Sequence, residues 1–359
     1  MKVFFDYSIF TLQQYGGISN YIINLVKNFS KEIDPLIISL FHKNYYLKKK
    51  DKTVDSFFYL KKFGPAFKYI NVVNRIYFNY KIKKNDPQII HQTYFNEKNF
   101  YKTKAKVVIS EYDLIKEKFY SNKFKSQIEY KKKIFQKADQ IICISNNTKK
   151  DLLENYSIEE SKVSVVHLGT NQNKSFTEKS LNLRPYLLYV GSRQRYKNFS
   201  NTIKAYAKSE KVNSNFDFVC FGGGDFSLEE KFFFKELCLE NKKIHYFDGN
   251  EYDLNYFYKN ARLFIFPSFY EGFGLPLLES MNMGCPVVCS NSSCFPEITN
   301  GAAVMFDPND IDSIKHNLEK VMFDDVLLLD LKKKGNQNCS KYSWEKCARE
   351  TERLYKKLI

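Results

Sequence analysis

Short apolar runs recur along the chain, separated by segments long enough to form a helix. In the first half they predict strands at Lys2–Phe5, Leu36–Leu40, Ile89–His91, Val107–Ile109, Gln140–Ile144 and Val163–His167. In the second half they predict strands at Tyr186–Val190, Phe216–Phe221, Ile244–Phe247, Leu263–Phe266 and Val287–Cys289. Several are continuously apolar instead of alternating with polar residues, which is the pattern of strands covered on both faces in a parallel sheet. The alternation of strand and helix predicts an α/β protein throughout. Between the two sets lies Gly169–Arg184, GTNQNKSFTEKSLNLR, polar, without a helical stripe and followed by Pro185. It reads as an interdomain linker, here assigned to residues 171–184 between a domain at 1–170 and one at 185–342. Two doubly wound domains facing each other are expected to hold a ligand cleft between the carboxyl ends of their strands.

The length agrees with two domains, since 359 residues is about twice the usual ~100–200 per domain. A hydrophobic content of 43% with 27% charged residues is the balance of a packed globular chain. The greasiest stretch, Leu263 to Phe269, is broken by Pro267 and Ser268 and falls far short of the ~18–20 apolar residues that span a bilayer. The apolar N-terminus is interrupted at Asp6 and reads as a buried first strand, not a secretory signal. Eight cysteines without a C-x-x-C pair suggest reduced core thiols and a cytoplasmic location. Cys285, Cys289 and Cys294 lack the fourth neighbouring ligand of a zinc site.

The formal charge is +16, and two segments account for it. Residues 41–84 hold twelve Lys and Arg against Asp51 and Asp55, and residues 116–137 hold eight Lys against Glu117 and Glu129. The first is interleaved with Phe57, Phe58, Tyr59, Phe63, Phe67, Tyr69, Tyr77, Phe78 and Tyr80. That composition suits an anionic lipid surface, nucleic acid, or simply a solvated basic face.

The chemistry is concentrated in Phe266–Ile298, FPSFYEGFGLPLLESMNMGCPVVCSNSSCFPEI. A strand ends, a turn with Gly272 and Gly274 follows, and a helix starts with Pro276 in its first turn and Gly284 at its end. Glycines allow a close backbone approach, and the helix N-terminus favours an anion such as a pyrophosphate. Glu271 and Glu279 flank that turn, and carboxylates beside a phosphate are best explained by sugar or ribose hydroxyls donating to them. A second cluster, YVGSRQRYKN, leaves another strand: Gly191 opens the turn, and alternation places Arg193, Arg195 and Lys197 on one side of an extended loop, able to neutralise a diphosphate leaving group. Gly16-Gly17 follow the first strand, His91 ends another, Glu111-Tyr112-Asp113 follow a third, and Ser145 reads as a helix N-cap. Neither G-x-G-x-x-G nor G-x-x-x-x-G-K-[ST] occurs, so a dinucleotide dehydrogenase or P-loop kinase finds no support.

Glu271–Glu279, EGFGLPLLE, resembles the E-x7-E motif of the retaining glycosyltransferases of family four, which have the two-Rossmann GT-B fold. The likeness extends to FD…GGISNYIINL, KADQIICISNNTKKDLL, LLYVGSRQRYKNF, PEI…GAAVMFDPND and YSWEKCARETERLY. The resemblance implies transfer of a hexose from a UDP- or GDP-sugar to a glycan acceptor, with retention and without cofactor or metal. It implies that Glu279 holds the ribose and Glu271 the donor-sugar hydroxyls. Gly272, Phe273, Gly274 and Leu275, with Arg193 and Lys197, would hold the diphosphate, beside Gly191, and Gly16 and Gly17 would border it. It also implies an acceptor-binding first domain, a nucleotide-sugar-binding second domain, and a final helix at 343–359 crossing back to the first. Many relatives carry His-Asp where this chain has Tyr112-Asp113. His91 and Asp113 are then the candidates at that position, and activity is expected to survive because the leaving phosphate can take the acceptor proton. The acceptor is expected to be lipid-linked, in surface polysaccharide or O-antigen synthesis, with the protein held peripherally at the inner face of an anionic membrane and without a nucleic-acid partner. The alternatives are a nucleotide-sugar 2-epimerase of the same fold and a non-enzymatic, basic nucleic-acid-binding protein.

Overall fold

The computed structural model describes residues 1–48, 51–95, 103–171, 174–239 and 243–359. The chain divides into two compact units, Met1–Gly169 with Ser343–Ile359, and Thr170–Tyr342.

In the first unit, β1 (Lys2–Phe5), β2 (Asp34–His42), β3 (Val54–Tyr59), β4 (Ile89–Gln92), β5 (Lys106–Glu111), β6 (Gln140–Cys143) and β7 (Val163–Val165) form a seven-stranded sheet in the order β3-β2-β1-β4-β5-β6-β7. Every pairing in it is parallel. The central strands are buried on both faces, as their unbroken apolar runs require. Strand order reverses between β1 and β4, and Asp6 staples the two exits there. Its carboxylate accepts from Thr93 N at 2.8 Å, Thr93 Oγ1 at 2.6 Å and Ser8 Oγ at 2.8 Å.

The sequence pattern does not reveal β3 or the helix Phe67–Asn85 that packs beside it. The helix buries Ile70, Asn74, Phe78 and Ile82, a single stripe at helical spacing. Asn74 grips the backbone of Phe41, its Oδ1 accepting at 2.8 Å and its Nδ2 donating at 2.9 Å. Tyr69, Val72, Val73, Ile76 and Tyr80 face outward, as do Phe57 and Phe58 on the edge strand β3. The helix Trp344–Leu358 belongs to this unit, packs on the helix Gly17–Lys27, and buries Trp344, Cys347, Ala348, Thr351 and Tyr355.

In the second unit, β8 (Tyr186–Val190), β9 (Asp217–Phe221), β10 (Ile244–Phe247), β11 (Leu263–Phe266), β12 (Val287–Ser290) and β13 (Val304–Phe306) form a six-stranded parallel sheet ordered β10-β9-β8-β11-β12-β13. Its reversal point lies between β8 and β11. One core built on Leu187, Tyr189, Phe218, Cys220, Leu263 and Ile265 covers a face of the sheet. The polar stretch at 174–184 lies against this unit's helix Glu251–Asn260: Asn255 Nδ2 donates to Ser175 O, Tyr256 Oη to Lys179 O, and Lys179 pairs with Asp253.

The return of the chain to the first unit requires a glycine. A Cβ on Gly169 would stand 2.3 Å from Trp344 N and 2.5 Å from Ser343 C, both backbone atoms that cannot swing aside. Gly169→Ala is therefore expected to lower the midpoint of urea unfolding, by an overpacking cost of about 1–3 kcal/mol. An unchanged or raised midpoint would show that the two segments are not in register as described.

Candidate functional site

Parallel α/β sheets bind ligands outside the carboxyl ends of their strands, where strand order reverses. In the second unit the loops at that place follow β8 and β11. Phe269 N donates to Tyr196 O at 2.8 Å, tying one loop to the other. The β8 loop does not run extended: it curls into a 3₁₀ turn at Arg195–Lys197 and ends on Asn198 in the left-handed conformation. That curl overturns the expectation that Arg193, Arg195 and Lys197 share one side.

Lys197 reaches the β11 loop. Its Nζ donates to Glu271 Oε1 at 2.5 Å, and Ser268 Oγ donates to the same oxygen at 2.7 Å. Ser293 fixes the Glu271 backbone, its Oγ accepting from Glu271 N at 3.2 Å and donating to Glu271 O at 2.6 Å. Glu271 thus has one carboxylate oxygen doubly held and the other with no hydrogen-bond partner among the described residues. The turn ends on Gly274 at φ 88°, a left-handed conformation suited to glycine, and starts the helix Leu275–Asn282 with Pro276 in its first turn. Gly272 and Phe273 are buried, Leu275 partly so.

Glu279 lies in the second turn of that helix and accepts from Tyr258 Oη at 3.4 Å. Burial, with the negative Glu251 nearby, pushes its carboxyl up to about 7, against the lowering effect of Tyr258. Tyr258, Glu251, Ser268 and Ser293 escape sequence reading. Of these, only the two serines had a signal, lying within two residues of Pro267 and Cys294 in the motif stretch.

Arg193 turns elsewhere. Its Nε donates to Glu230 Oε1 at 2.5 Å, and its terminal nitrogens donate to the carbonyls of Gly222, Gly224 and Asp225. The side chain is 5% exposed. It holds the Gly222–Asp225 loop close to Gly191, where a Cβ on Gly223 would meet Gly191 O at 2.5 Å.

In the first unit, Gly16 and Gly17 open the helix Gly17–Lys27. Gln13 Oε1 accepts from Ser19 N at 3.2 Å and fills the space beside Gly16. His91 is fully buried, with Nδ1 2.6 Å from Tyr355 Oη and Nε2 2.9 Å from Ser110 Oγ. Burial pushes it down to about 3, so the ring is neutral at physiological pH. Tyr112 is also buried and donates to Thr93 O at 3.0 Å. Asp113 is half-buried and its carbonyl accepts from Lys131 Nζ at 3.3 Å. The same ammonium lies 2.8 Å from Glu111 Oε1 and 2.8 Å from Glu117 Oε1. Burial raises Glu111 to about 8 in spite of Lys131. The structure thus brings Lys197 to Glu271, and takes Arg193 and His91 into separate, internally satisfied clusters. Ser145 does cap the helix Asn146–Asn155, accepting from Thr148 N at 3.0 Å.

Two family models match the chain, "Glycosyltransferase Family 4" over residues 15–174 and "Glycosyl transferases group 1" over residues 171–338. A similar curated relative is the O-antigen chain mannosyltransferase B of Escherichia coli, 34% identical over 175 residues, 48% of this chain and 46% of that protein. The chain spans less than two thirds of the length of the first such relatives it matches. Among solved structures, sucrose-phosphate synthase from Thermosynechococcus elongatus superposes with a TM-score of 0.77 at 17% identity, covering 99% of this chain and 98% of that one. HepE of Anabaena, in complex with UDP and glucose, does so with a TM-score of 0.76 at 14% identity, covering 99% and 100%. These likenesses show the GT-B fold, two Rossmann-like α/β domains.

The raised Glu279 carboxyl has a measurable sign. A carboxyl that binds its proton more tightly folded than unfolded stabilises the fold below its unfolded value and forfeits that stability as pH rises through about 7. Thermal unfolding from pH 4.5 to 8 is expected to show wild type falling relative to Glu279→Gln as pH rises. Parallel curves would mean Glu279 is not buried as described.

Proposed function

The chain belongs to glycosyltransferase family 4, and on that premise we propose that it moves a hexose, with mannose favoured by the similar O-antigen mannosyltransferase, from a UDP- or GDP-sugar to a glycan acceptor. The observation that carries the reading is the Lys197–Glu271–Ser268 cluster, at the carboxyl ends of β8 and β11 where the sheet reverses. The second unit takes the donor. Glu279 accepts from ribose hydroxyls as a carboxylate, and Glu271 offers its unpartnered oxygen to hydroxyls of the donor sugar. Lys197 faces the diphosphate along with the Gly272–Leu275 backbone, and stabilises the negative charge that grows as the bond from the anomeric carbon to the β-phosphate oxygen breaks. The acceptor hydroxyl oxygen bonds that carbon with retention, and its proton passes to the departing phosphate. That route needs no metal and no imidazole base, so the burial of His91 and Tyr112 is compatible with turnover. Arg193 acts on the diphosphate only indirectly, by holding the adjacent Gly222–Asp225 loop.

Adding UDP or GDP is expected to raise the melting temperature of the full chain. Losing a charge-assisted hydrogen bond costs roughly 1.5–3 kcal/mol, more than tenfold in affinity. Glu279→Ala should therefore lose the shift at matched nucleotide concentration, while Lys197→Ala should lose at least tenfold in turnover of GDP-mannose or the UDP-sugar that binds, a larger factor than it loses in nucleotide affinity. If neither nucleotide shifts wild type, or if both variants behave like it, the reading fails.

The acceptor is proposed to be lipid-linked and met at an anionic membrane, consistent with a peripheral location at the inner face. No helix among the described residues is long and apolar enough to cross a bilayer. Supporting attachment instead, Tyr69, Val72, Val73, Ile76 and Tyr80 form an outward apolar stripe on the helix Phe67–Asn85, Phe57 meets Tyr77 of that helix edge-on, and Phe57, Phe58, Lys52, Lys61, Lys62, Lys68, Lys83 and Lys84 of the same basic segment are exposed. Lys49 and Lys50, part of the same basic run, lie outside the described residues. Each cation near an anionic surface contributes about 1 kcal/mol. Sedimentation with phosphatidylglycerol vesicles should weaken with salt and fall at least tenfold when Lys61, Lys62 and Lys68 are changed to Glu. Sedimentation that ignores lipid charge would leave the patch a solvated face.

A further inference from the structure

The first unit carries a group of tyrosines that the donor chemistry does not use. Tyr15 stands immediately before Gly16, on the loop between the short helix Ser8–Leu12 that follows β1 and the helix Gly17–Lys27, and is 57% exposed. Tyr45 lies just past the end of β2 and is 48% exposed. Their ring centroids are 5.0 Å apart with an interplanar angle of 30°, and Tyr46 meets Tyr15 edge-on at 6.1 Å and 84°. Large aromatic rings are normally buried for their area, whereas this tyrosine pair packs against itself with about half of each side chain left in water.

The rings are held rigidly. Tyr45 N donates to Gln14 O at 3.0 Å, Lys43 N to Phe10 O at 3.1 Å, and buried Asn44 donates through Nδ2 to Gln13 O at 2.9 Å. His42 Nδ1 lies 3.0 Å from Asn44 O, and Asn44 Oδ1 accepts from Tyr46 N at 3.0 Å. Lys48 Nζ lies 4.7 Å from the Tyr45 ring centre and 4.0 Å from that of Tyr59, pinning the second ring from its own loop. The helix Ser8–Leu12 with the loop after it and the loop after β2 are therefore zipped into one ledge. It stands on the carboxyl-end side of the sheet, the side where such folds take their ligands. Ordering cost at this ledge is met by the fold before any ligand arrives, as in rigid aromatic paratopes.

We propose that Tyr15, backed by Tyr45, is a stacking platform for a pyranose ring of the acceptor glycan. This rests on the reading of the first unit as the acceptor-binding half of a glycosyltransferase. The face of a pyranose presents C–H groups that lie flat on the negative face of a phenol ring, while its hydroxyls stay at the rim in water. A flat, half-wet tyrosine suits that ligand better than it suits an acyl chain, which calls for an aliphatic or fully desolvated surface. The patch at Phe57, Phe58 and Tyr69 is richer in such apolar groups and in cations, and is the one assigned above to lipid. The ring, not the phenol hydroxyl, carries the contact, so Tyr15 sets affinity for the sugar preceding or following the acceptor hydroxyl and not the bond-making step.

The test uses the 359-residue chain, linear α-mannotriose as the probe, and saturation-transfer NMR with a titration. Wild type should transfer saturation to pyranose C–H protons. Tyr15→Ala should weaken mannotriose at least fivefold, Tyr45→Ala should weaken it less, and Tyr15→Phe and Tyr15→Trp should hold or improve it. The UDP or GDP melting shift should be the same in all four, and unchanged circular dichroism and melting transitions without nucleotide show that they fold. Tyr15→Ala binding mannotriose like wild type, or wild type failing to bind it while still binding nucleotide, would overturn the platform and leave the transferase reading standing. Failure of every form to bind nucleotide would instead strike at that reading. If Tyr15→Ala loses phosphatidylglycerol-vesicle sedimentation and keeps mannotriose, the ledge belongs to the membrane surface and the proposal is wrong.

Discussion

A parallel sheet has a direction, and all of its strands hand their following loops to the same edge. Where strand order reverses, two neighbouring loops leave toward opposite faces and cannot cover one another, so a crevice remains that no side chain of the sheet can fill. Both units of this chain have one such reversal, at β1/β4 and at β8/β11. The rest of the structure follows from how each is managed. In the first unit Asp6 closes it by accepting from Thr93 N and Thr93 Oγ1. In the second the two loops are joined by the Phe269–Tyr196 backbone bond, and Lys197 and Glu271 pair across them.

Two basic residues of one loop illustrate how partners decide roles. Arg193 is almost fully desolvated and spends its donors on Glu230 and three carbonyls, so removing it would open the Gly222–Asp225 loop. Lys197 makes a single ion pair among the described residues, and its ammonium has three donors. Under the proposed function a diphosphate would compete with Glu271 for it, and the carboxylate would be freed toward sugar hydroxyls as the ammonium turns to phosphate. A single pair would thus serve both the resting and the loaded site without leaving a buried charge alone in either, which is the costly outcome for such pairs.

The strands that apolar runs disclose are those buried on both faces, such as β8 and β11, because there the burial pattern and the sequence pattern coincide. The pattern is silent at β3 and at the helix Phe67–Asn85, since their apolar residues lie on both the buried and the exposed sides and so no period stands out. At the site, Glu271, Glu279 and the turn between them were legible, because glycine, proline and carboxylates in that order have few structural uses. The partners were not. Tyr258 and Glu230 lie on helices remote in sequence, and His91 has the same one-letter context whether it faces a ligand or, as here, Tyr355 and Ser110. Contacts of that kind are made by the topology and leave no local trace.

The first unit is discontinuous: its last helix, Trp344–Leu358, is separated from the rest by residues 170–342. During synthesis at about 5–20 residues per second, the seven-stranded sheet emerges on the order of ten to a few tens of seconds before the helix that caps it. For that interval Tyr21 lacks the Trp344 ring that packs on it, and buried His91 lacks the hydroxyl that satisfies Nδ1. The nascent half presents water with an apolar groove where that helix will dock. Chaperone dependence of this protein should therefore be a property of its order of emergence from the ribosome and not of its final stability. A circular permutation that brings the terminal helix before β1 would shorten that exposed interval while keeping the same helix and the same groove for it.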